Sequence, residues 1–380
     1  MNIMYVAPAY HPNQTPIVKG WIENGDNVRF LVQYHMTTED TDYTQAVDLG
    51  YSAVYRFLEK IYGLTGKGIT DAYPEFFSDK CGFPPRRALK REFNEFCPDL
   101  VIVRERSFYS MMVYSLCKKR NIPCLLYNQT PLYDPEEPRN DIAHRIVKRL
   151  TPQIRYTPVY GAPTKGYLDK QAHFIPFVMD PQLTPDERYR QKNIVDTDVE
   201  LDILCVGKFE ERKNHLMMIE AFSELVKEYS IRLTLVGNTF TQYHEEYLAT
   251  LREEVKNKGL EAKIDIHVNV PKEEMGVFYK DADLFVIPST AEFASVAQLE
   301  AMAYSMPVIA GDSNGTSCYI KDNGKIFKDM DVDDLKLKIE EIISDRAGMV
   351  EMGKKSYQLI LKEHSFPEYR RKILELANYK

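Results

Sequence analysis

Between Ala282 and Ala310 the chain reads ADLFVIPSTAEFASVAQLEAMAYSMPVIA. The apolar run at 282–288 ends on a proline, the mark of a buried strand that stops where the chain turns away. A polar turn carrying Glu292, a helix-forming segment at 294–304 and a second short strand at 307–310 follow. Strand, loop, helix and strand in that order build a parallel α/β sheet, whose ligands collect at the carboxyl edge of the strands. Glu292 and Glu300 stand eight positions apart. With a helix starting near Ala294, Glu300 falls on its second turn, on the side of Glu292, and the N–H groups of Ala294, Ser295 and Val296 face the same space. Those N–H groups favour phosphate, and carboxylates accept from hydroxyls, so the stretch points to a sugar nucleotide.

The remainder of the chain alternates in the same way. In the first half, strands are expected at 2–7, 27–33, 100–104, 123–127, 155–160 and 173–177, and helices at 17–24, 53–62, 86–96, 109–120 and 142–150. The segment 63–85, rich in Gly, Pro and aromatics, reads as loop. Its Gly63-Leu-Thr-Gly-Lys-Gly68 lacks both the spacing and the preceding strand of a phosphate loop. The segment 176–193 is polar and irregular, a linker by composition. A second alternation runs through strands at 202–206, 231–237, 264–268 and 283–287, with helices at 214–229, 243–258 and 273–279. Helices at 331–345 and 366–379 close the pattern. Two halves of similar build, in 380 residues, make two Rossmann-like α/β domains, 1–178 and 179–364. The last helix, within 365–380, is expected to return to the first domain, because the second sheet already has its helices by Asp345.

Composition excludes several classes. At 44% hydrophobic and 28% charged the chain is globular, and a net charge of −7 argues against general nucleic-acid binding. No signal peptide and no membrane-spanning run is legible, which places the expected location in the cytoplasm. Six cysteines without a C-x-x-C pair read as thiols in a reducing compartment. The histidines show no metal-ligand spacing, so no metal is expected. Basic segments at 86–91 and 144–155 are solvated helix faces or a peripheral contact with anionic lipid or an acidic acceptor.

At the start of the second half, Leu204-Cys-Val-Gly-Lys-Phe-Glu-Glu-Arg-Lys-Asn-His215 leads from a strand end into a helix. Gly207 permits the turn, and Lys208 and Lys213 stand beside the helix entry, either as a diphosphate clamp or as part of a solvated charged loop.

Over 201–327 the chain resembles the retaining glycosyltransferases of family 4, of the GT-B fold: two Rossmann-like domains facing each other across a cleft. The resemblance rests on Glu292, Glu300, Ala301-Met302-Ala303, Pro307-Val308-Ile309, and the Val206-Gly207-Lys208 turn followed by Lys213. It implies that Lys208 and Lys213 hold the donor diphosphate, Glu300 the ribose and Glu292 the transferred sugar. Backbone near Val270 would dock the base, and Phe293, Ala294, Ser295 and Val296 would line the donor site, where Phe293-Ala294-Ser295 replaces the family's Phe-Gly. Lys208 stands where the family has Arg, which removes a bidentate fork.

In the first half Pro8-Ala-Tyr-His-Pro12 replaces a Gly-Gly pair, and Asn128 stands where many members have His, making it the candidate catalytic position there. His11, Arg104 and Glu105 are further strand-end candidates. The implied function is transfer of a sugar from a nucleotide-diphosphate sugar, a substrate and not a cofactor, to a hydroxyl of a glycan, lipid-linked or protein acceptor, in glycan or polysaccharide biosynthesis. Two alternatives remain open from sequence: a GT-B sugar-nucleotide epimerase, and an inactive sugar-nucleotide-binding scaffold.

Overall fold

The computed structural model describes residues 1–36, 42–64, 81–137, 141–161, 166–191, 193–196, 198–292 and 294–378. Most of the segment read as loop at 63–85 lies outside them, although the helix before it continues to Leu64. The chain divides into two compact units, Met1–Val178 with Phe366–Lys380, and Met179–Ser365.

The first unit contains β1 (Asn2–Val6), β2 (Asn27–Val32), β3 (Val47–Asp48), β4 (Leu100–Arg104), β5 (Cys124–Tyr127), β6 (Tyr133–Asp134), β7 (Arg155–Thr157), β8 (Tyr167–Leu168) and β9 (Ala172–Phe174). Seven form one parallel sheet in the order β3-β2-β1-β4-β5-β7-β9, while β6 and β8 pair as a separate antiparallel ribbon. Neither β3 nor the ribbon is legible in the sequence, because two-residue strands carry no periodicity.

Consecutive strand residues point to opposite faces, so a strand covered on both sides is apolar throughout. In β1, Ile3 and Tyr5 enter one core with Trp21, Phe30 and Ile102, whereas Met4 and Val6 enter another with Leu89, Phe93 and Val113. The helix Phe366–Leu376 belongs to the first of these cores through Tyr369 and Ile373. There the Tyr369 hydroxyl lies 3.2 Å from that of Tyr5 and 2.9 Å from that of Tyr156, and Trp21 Nε1 donates to Tyr5 Oη at 2.8 Å. Gly20 makes room for it: a Cβ there would fall 2.1 Å from Phe366 Cγ.

The second unit holds β10 (Leu201–Val206), β11 (Ile231–Gly237), β12 (Ile264–Val268), β13 (Leu284–Ile287), β14 (Val308–Gly311) and β15 (Gly324–Phe327). Its sheet is parallel, in the order β12-β11-β10-β13-β14-β15. Chain order runs outward from β10 to β12 on one side and from β13 to β15 on the other, so the topological switch point lies between β10 and β13.

Three elements correct the sequence reading. The linker at 176–193 contains the helix Pro185–Gln191, anchored where Arg188 Nη1 donates to the Tyr279 and Tyr304 carbonyls at 3.2 and 2.9 Å. The strand β15 and the long helix Arg346–Glu363 are additional to the expected elements.

Candidate functional site

The loops that follow β10 and β13 leave the same edge of the sheet on either side of the switch point, and they are stitched together. After the turn at Gly207, a short 3-10 turn over Glu211–Lys213 ends at Asn214, in the left-handed region at φ 51°. Asn214 Nδ2 donates to the Pro288 carbonyl at 3.0 Å and to Thr290 Oγ1 at 2.6 Å, and Thr290 N–H donates to the Arg212 carbonyl at 2.9 Å. A Cβ on Gly207 would lie 3.3 Å from Lys213 Cδ, so the bare backbone there lets the lysine stem pass close over the turn.

That path brings Lys213 Nζ onto Glu292 Oε2, which also accepts from Arg212 Nη1 at 2.9 Å. Burial works against the charged form of Glu292, but the neighbouring charges, Lys213 first and Arg212 second, outweigh it and hold the carboxyl below its usual range. Arg212 also pairs with Glu210 at 2.8 Å. Lys213 and Glu292 are thus brought together, with Arg212 as a third member that sequence reasoning passed over. Its alternation with acidic neighbours made it look like one more solvated charge. Lys208 is exposed, with Nζ 5.5 Å from the Phe240 ring centroid; among the described residues it makes no ion pair with Glu292.

The helix carrying Glu300 starts later than expected, at Val296, with Ser295 as its N-cap and Ser295 Oγ accepting from Gln298 N–H. Ser295 N–H donates to Thr316 Oγ1 at 3.3 Å, and Gln298 is locked to Thr316 by two further bonds. The correction is physical: Ser295 caps the helix and anchors to the loop after β14, so the N–H groups without an intrahelical acceptor are those of Val296 and Ala297. Ala294 is half-buried just before the cap, and Phe293 lies outside the described residues.

Glu300 falls on the second turn of this helix, where Tyr279 Oη donates to its Oε2 at 2.6 Å. Burial raises the Glu300 carboxyl pKa despite that bond. Tyr279 stacks on Tyr304 at 5.5 Å and 17°. Val270 follows Asn269, which sits at φ 55° at the end of β12 and ties back through its N–H to the Gly237 carbonyl at 2.9 Å. Val270 therefore leaves the same carboxyl edge.

Asn128 belongs to the other unit and is buried, its Oδ1 accepting from Arg155 Nη1 at 2.8 Å. His11 accepts from Asn13 N–H, and burial, then the charge of Arg104, lowers its pKa.

A family described as "Glycosyl transferases group 1" matches residues 186–359. Over 179 residues, 44% of this chain, the sequence is 26% identical to a GDP-mannose-dependent alpha-(1-6)-phosphatidylinositol monomannoside mannosyltransferase of Mycolicibacterium smegmatis, covering 45% of that protein. It is 31% identical over 110 residues, 28% of this chain, to mannosylfructose-phosphate synthase of Agrobacterium fabrum, covering 24% of that protein. The matches thus span less than half the length of these curated relatives. The crystal structure of Anabaena HepE in complex with UDP superposes over 100% of both chains with a TM-score of 0.72 at 12% identity. The fold is that of the GT-B structures it superposes on, and residues 186–359 match the glycosyl transferases group 1 family.

Proposed function

We propose that the chain transfers a sugar, with retention, from a nucleoside-diphosphate sugar to an acceptor hydroxyl, as a member of family 4. The observation that supports this most directly is the Lys213–Glu292–Arg212 cluster, formed across the switch point at the carboxyl edge of β10 and β13. The second unit is the donor unit. Glu300, held by Tyr279, accepts from ribose hydroxyls, and Val270 borders the base. The diphosphate is met by Lys213 and Arg212 and by the N–H groups of Val296 and Ala297. Lys208 reaches it by leaving the Phe240 ring. Glu292, released from the ammonium it now holds, takes sugar hydroxyls. The positive charge that stabilises the departing diphosphate comes from these side chains, which makes the reaction metal-independent in this reading. The first unit receives the acceptor, and Asn128 at the end of β5 belongs to that side. The matched relatives are a transferase and a synthase, which favours neither the epimerase nor the scaffold reading.

A peripheral membrane contact belongs to the same reading. No helix among the described residues is long and apolar enough to cross a membrane. The helix Ile142–Leu150, however, exposes Ile142, Ile146 and Leu150 at four-residue intervals and carries Arg145, Lys148 and Arg149 with no acid. That pattern suits an anionic bilayer surface.

The test is Lys213→Ala. Charge-assisted hydrogen bonds contribute about 1.5–3 kcal/mol, and loss of one that meets developing charge lowers turnover on the order of 10²–10³-fold. With UDP- and GDP-sugars as donors, a variant that turns over at the parent rate would remove the clamp from the mechanism.

A further inference from the structure

One cavity lies wholly within the first unit. It encloses about 840 Å³ at the carboxyl edge of β4 and β5. Among the described residues its walls are Arg106 and Asn128 from the strand ends, Asp134 and Asp169 from the ribbon β6–β8 and its flank, and His144 and Lys148 from the helix Ile142–Leu150. Arg155 also lines it, but its charge is fully engaged: Nε pairs with Asp169 at 2.9 Å, and Nη1 donates to Asn128 Oδ1 and to the Thr130 carbonyl at 2.8 and 2.7 Å. Arg106 differs. Its Nε and Nη2 are buried, and among the described residues neither has a hydrogen-bond partner. A desolvated guanidinium with unmet donors is expensive, and such groups are normally satisfied by a partner. The two unmet nitrogens are the side-on edge of the guanidinium, the parallel pair that matches two oxygens of one carboxylate or phosphate.

We infer that this cavity binds the anionic group of a hydroxyl-bearing small molecule, a phosphate monoester or a carboxylate, at Arg106, whose side chain turns the unmet Nε/Nη2 edge, closed to solvent here, onto the anion. Lys148 adds a second positive charge at the wall, and the N-terminus of the capped helix Phe108–Arg120 begins two residues after Arg106. The acidic side chains of Asp134 and the exposed Glu136 and Glu137 stand at the same cavity and accept from hydroxyls, which selects a sugar or polyol over a bare anion. The naming of this ligand as the acceptor rests on the glycosyl-transfer reading; its binding does not.

Glucose 6-phosphate, glucuronate and neutral glucose are titrated into the full chain by ligand-observed NMR, alongside UDP and GDP. At least one anionic probe is expected to bind at least tenfold more tightly than glucose, and the stronger of the two identifies phosphate or carboxylate as the natural group. Arg106→Gln should weaken that probe at least tenfold and leave nucleotide binding unchanged, and Lys148→Glu should weaken it several-fold. Equal binding of all three sugars, or parent affinity for the anion in Arg106→Gln, would overturn the assignment. Should Arg106→Gln melt early, Lys148→Glu decides, since Lys148 is only half-buried and parent affinity there is equally fatal. Anion binding without any nucleotide binding would leave the cavity standing and sink the nucleotide-sugar reading instead.

Discussion

His215 opens the helix His215–Leu225 two residues after Lys213, fully buried between the rings of Phe209 and Tyr247, with centroids 5.3 and 6.0 Å away. Neither ring nitrogen has a partner among the described residues. Burial, with a smaller push from Lys213, lowers its pKa from 6.5 to about 3. Between those values the unfolded chain holds a proton that the folded chain refuses. Stability from this group is therefore complete above pH ~6.5 and is lost as pH falls toward the folded pKa. At about 1.4 kcal/mol per unit, the loss between pH 7.5 and 5 amounts to about 2 kcal/mol. His215→Phe keeps an aromatic ring among aromatic neighbours and removes both the proton and the orphaned nitrogens. It should be more stable than the parent by ~1–3 kcal/mol at pH 7.5, the desolvation penalty of unsatisfied polar atoms, and the gap should widen by about 2 kcal/mol at pH 5. Urea unfolding of both proteins at the two pH values measures the difference, in which every other titrating group cancels. A gap that does not widen, or a histidine resonance in the parent that assigns to His215 and titrates near 6.5, would refute the reasoning.

Three further outcomes test other parts of the structure. Glu300→Gln should weaken binding of a bare nucleoside diphosphate, while Glu292→Gln should spare it and lower transfer; calorimetry showing equal losses would mean the two roles are misassigned. Gly20→Ala forces a methyl into the Phe366 ring and should lower stability by about 1–3 kcal/mol, with amide protection lost first in the helix Phe366–Leu376; unchanged exchange there would contradict the packing. Ile146→Glu should reduce sedimentation with anionic vesicles at least tenfold while neutral vesicles stay unbound by either protein; equal binding by parent and variant would dismiss the membrane contact.

The strand, turn and helix around Glu292 and Glu300 were legible because they lie within about thirty residues, where local patterning determines the structure. What the sequence could not show is which distant residues meet there. Lys213 and Glu292 are 79 positions apart, and they touch because β10 and β13 are neighbours with two strands between them in the chain. Tyr279 was read only as the end of a helix, yet its hydroxyl holds Glu300. The missed helix Arg346–Glu363 has a physical excuse. Its buried face includes Gly353, against the Tyr189 hydroxyl, and Ser356, whose Oγ donates to the Met306 carbonyl at 2.5 Å, so the apolar repeat is interrupted where packing is tightest. Likewise Pro185–Gln191 looked like linker because its anchor, Arg188, is a charged residue buried against carbonyls.

The tyrosine cluster at the base of the first unit has a consequence for how the chain is made. Tyr5 and Tyr369 are 364 positions apart, and Trp21 donates into the same cluster. A ribosome adds on the order of 5–20 residues per second, so the strand β1 waits some tens of seconds for the helix that seals its face. During that interval the second unit, which is contiguous from Met179 to Ser365, is being synthesised, while the first carries an open apolar groove formed by Trp21, Tyr5 and the space beside Gly20. The first unit therefore cannot be completed until the whole of the second has been synthesised. A nascent chain stalled before Phe366 would present that groove to chaperones or to the free helix of another copy, and an exchange of this helix between copies is the misassembly to which the connectivity exposes the protein.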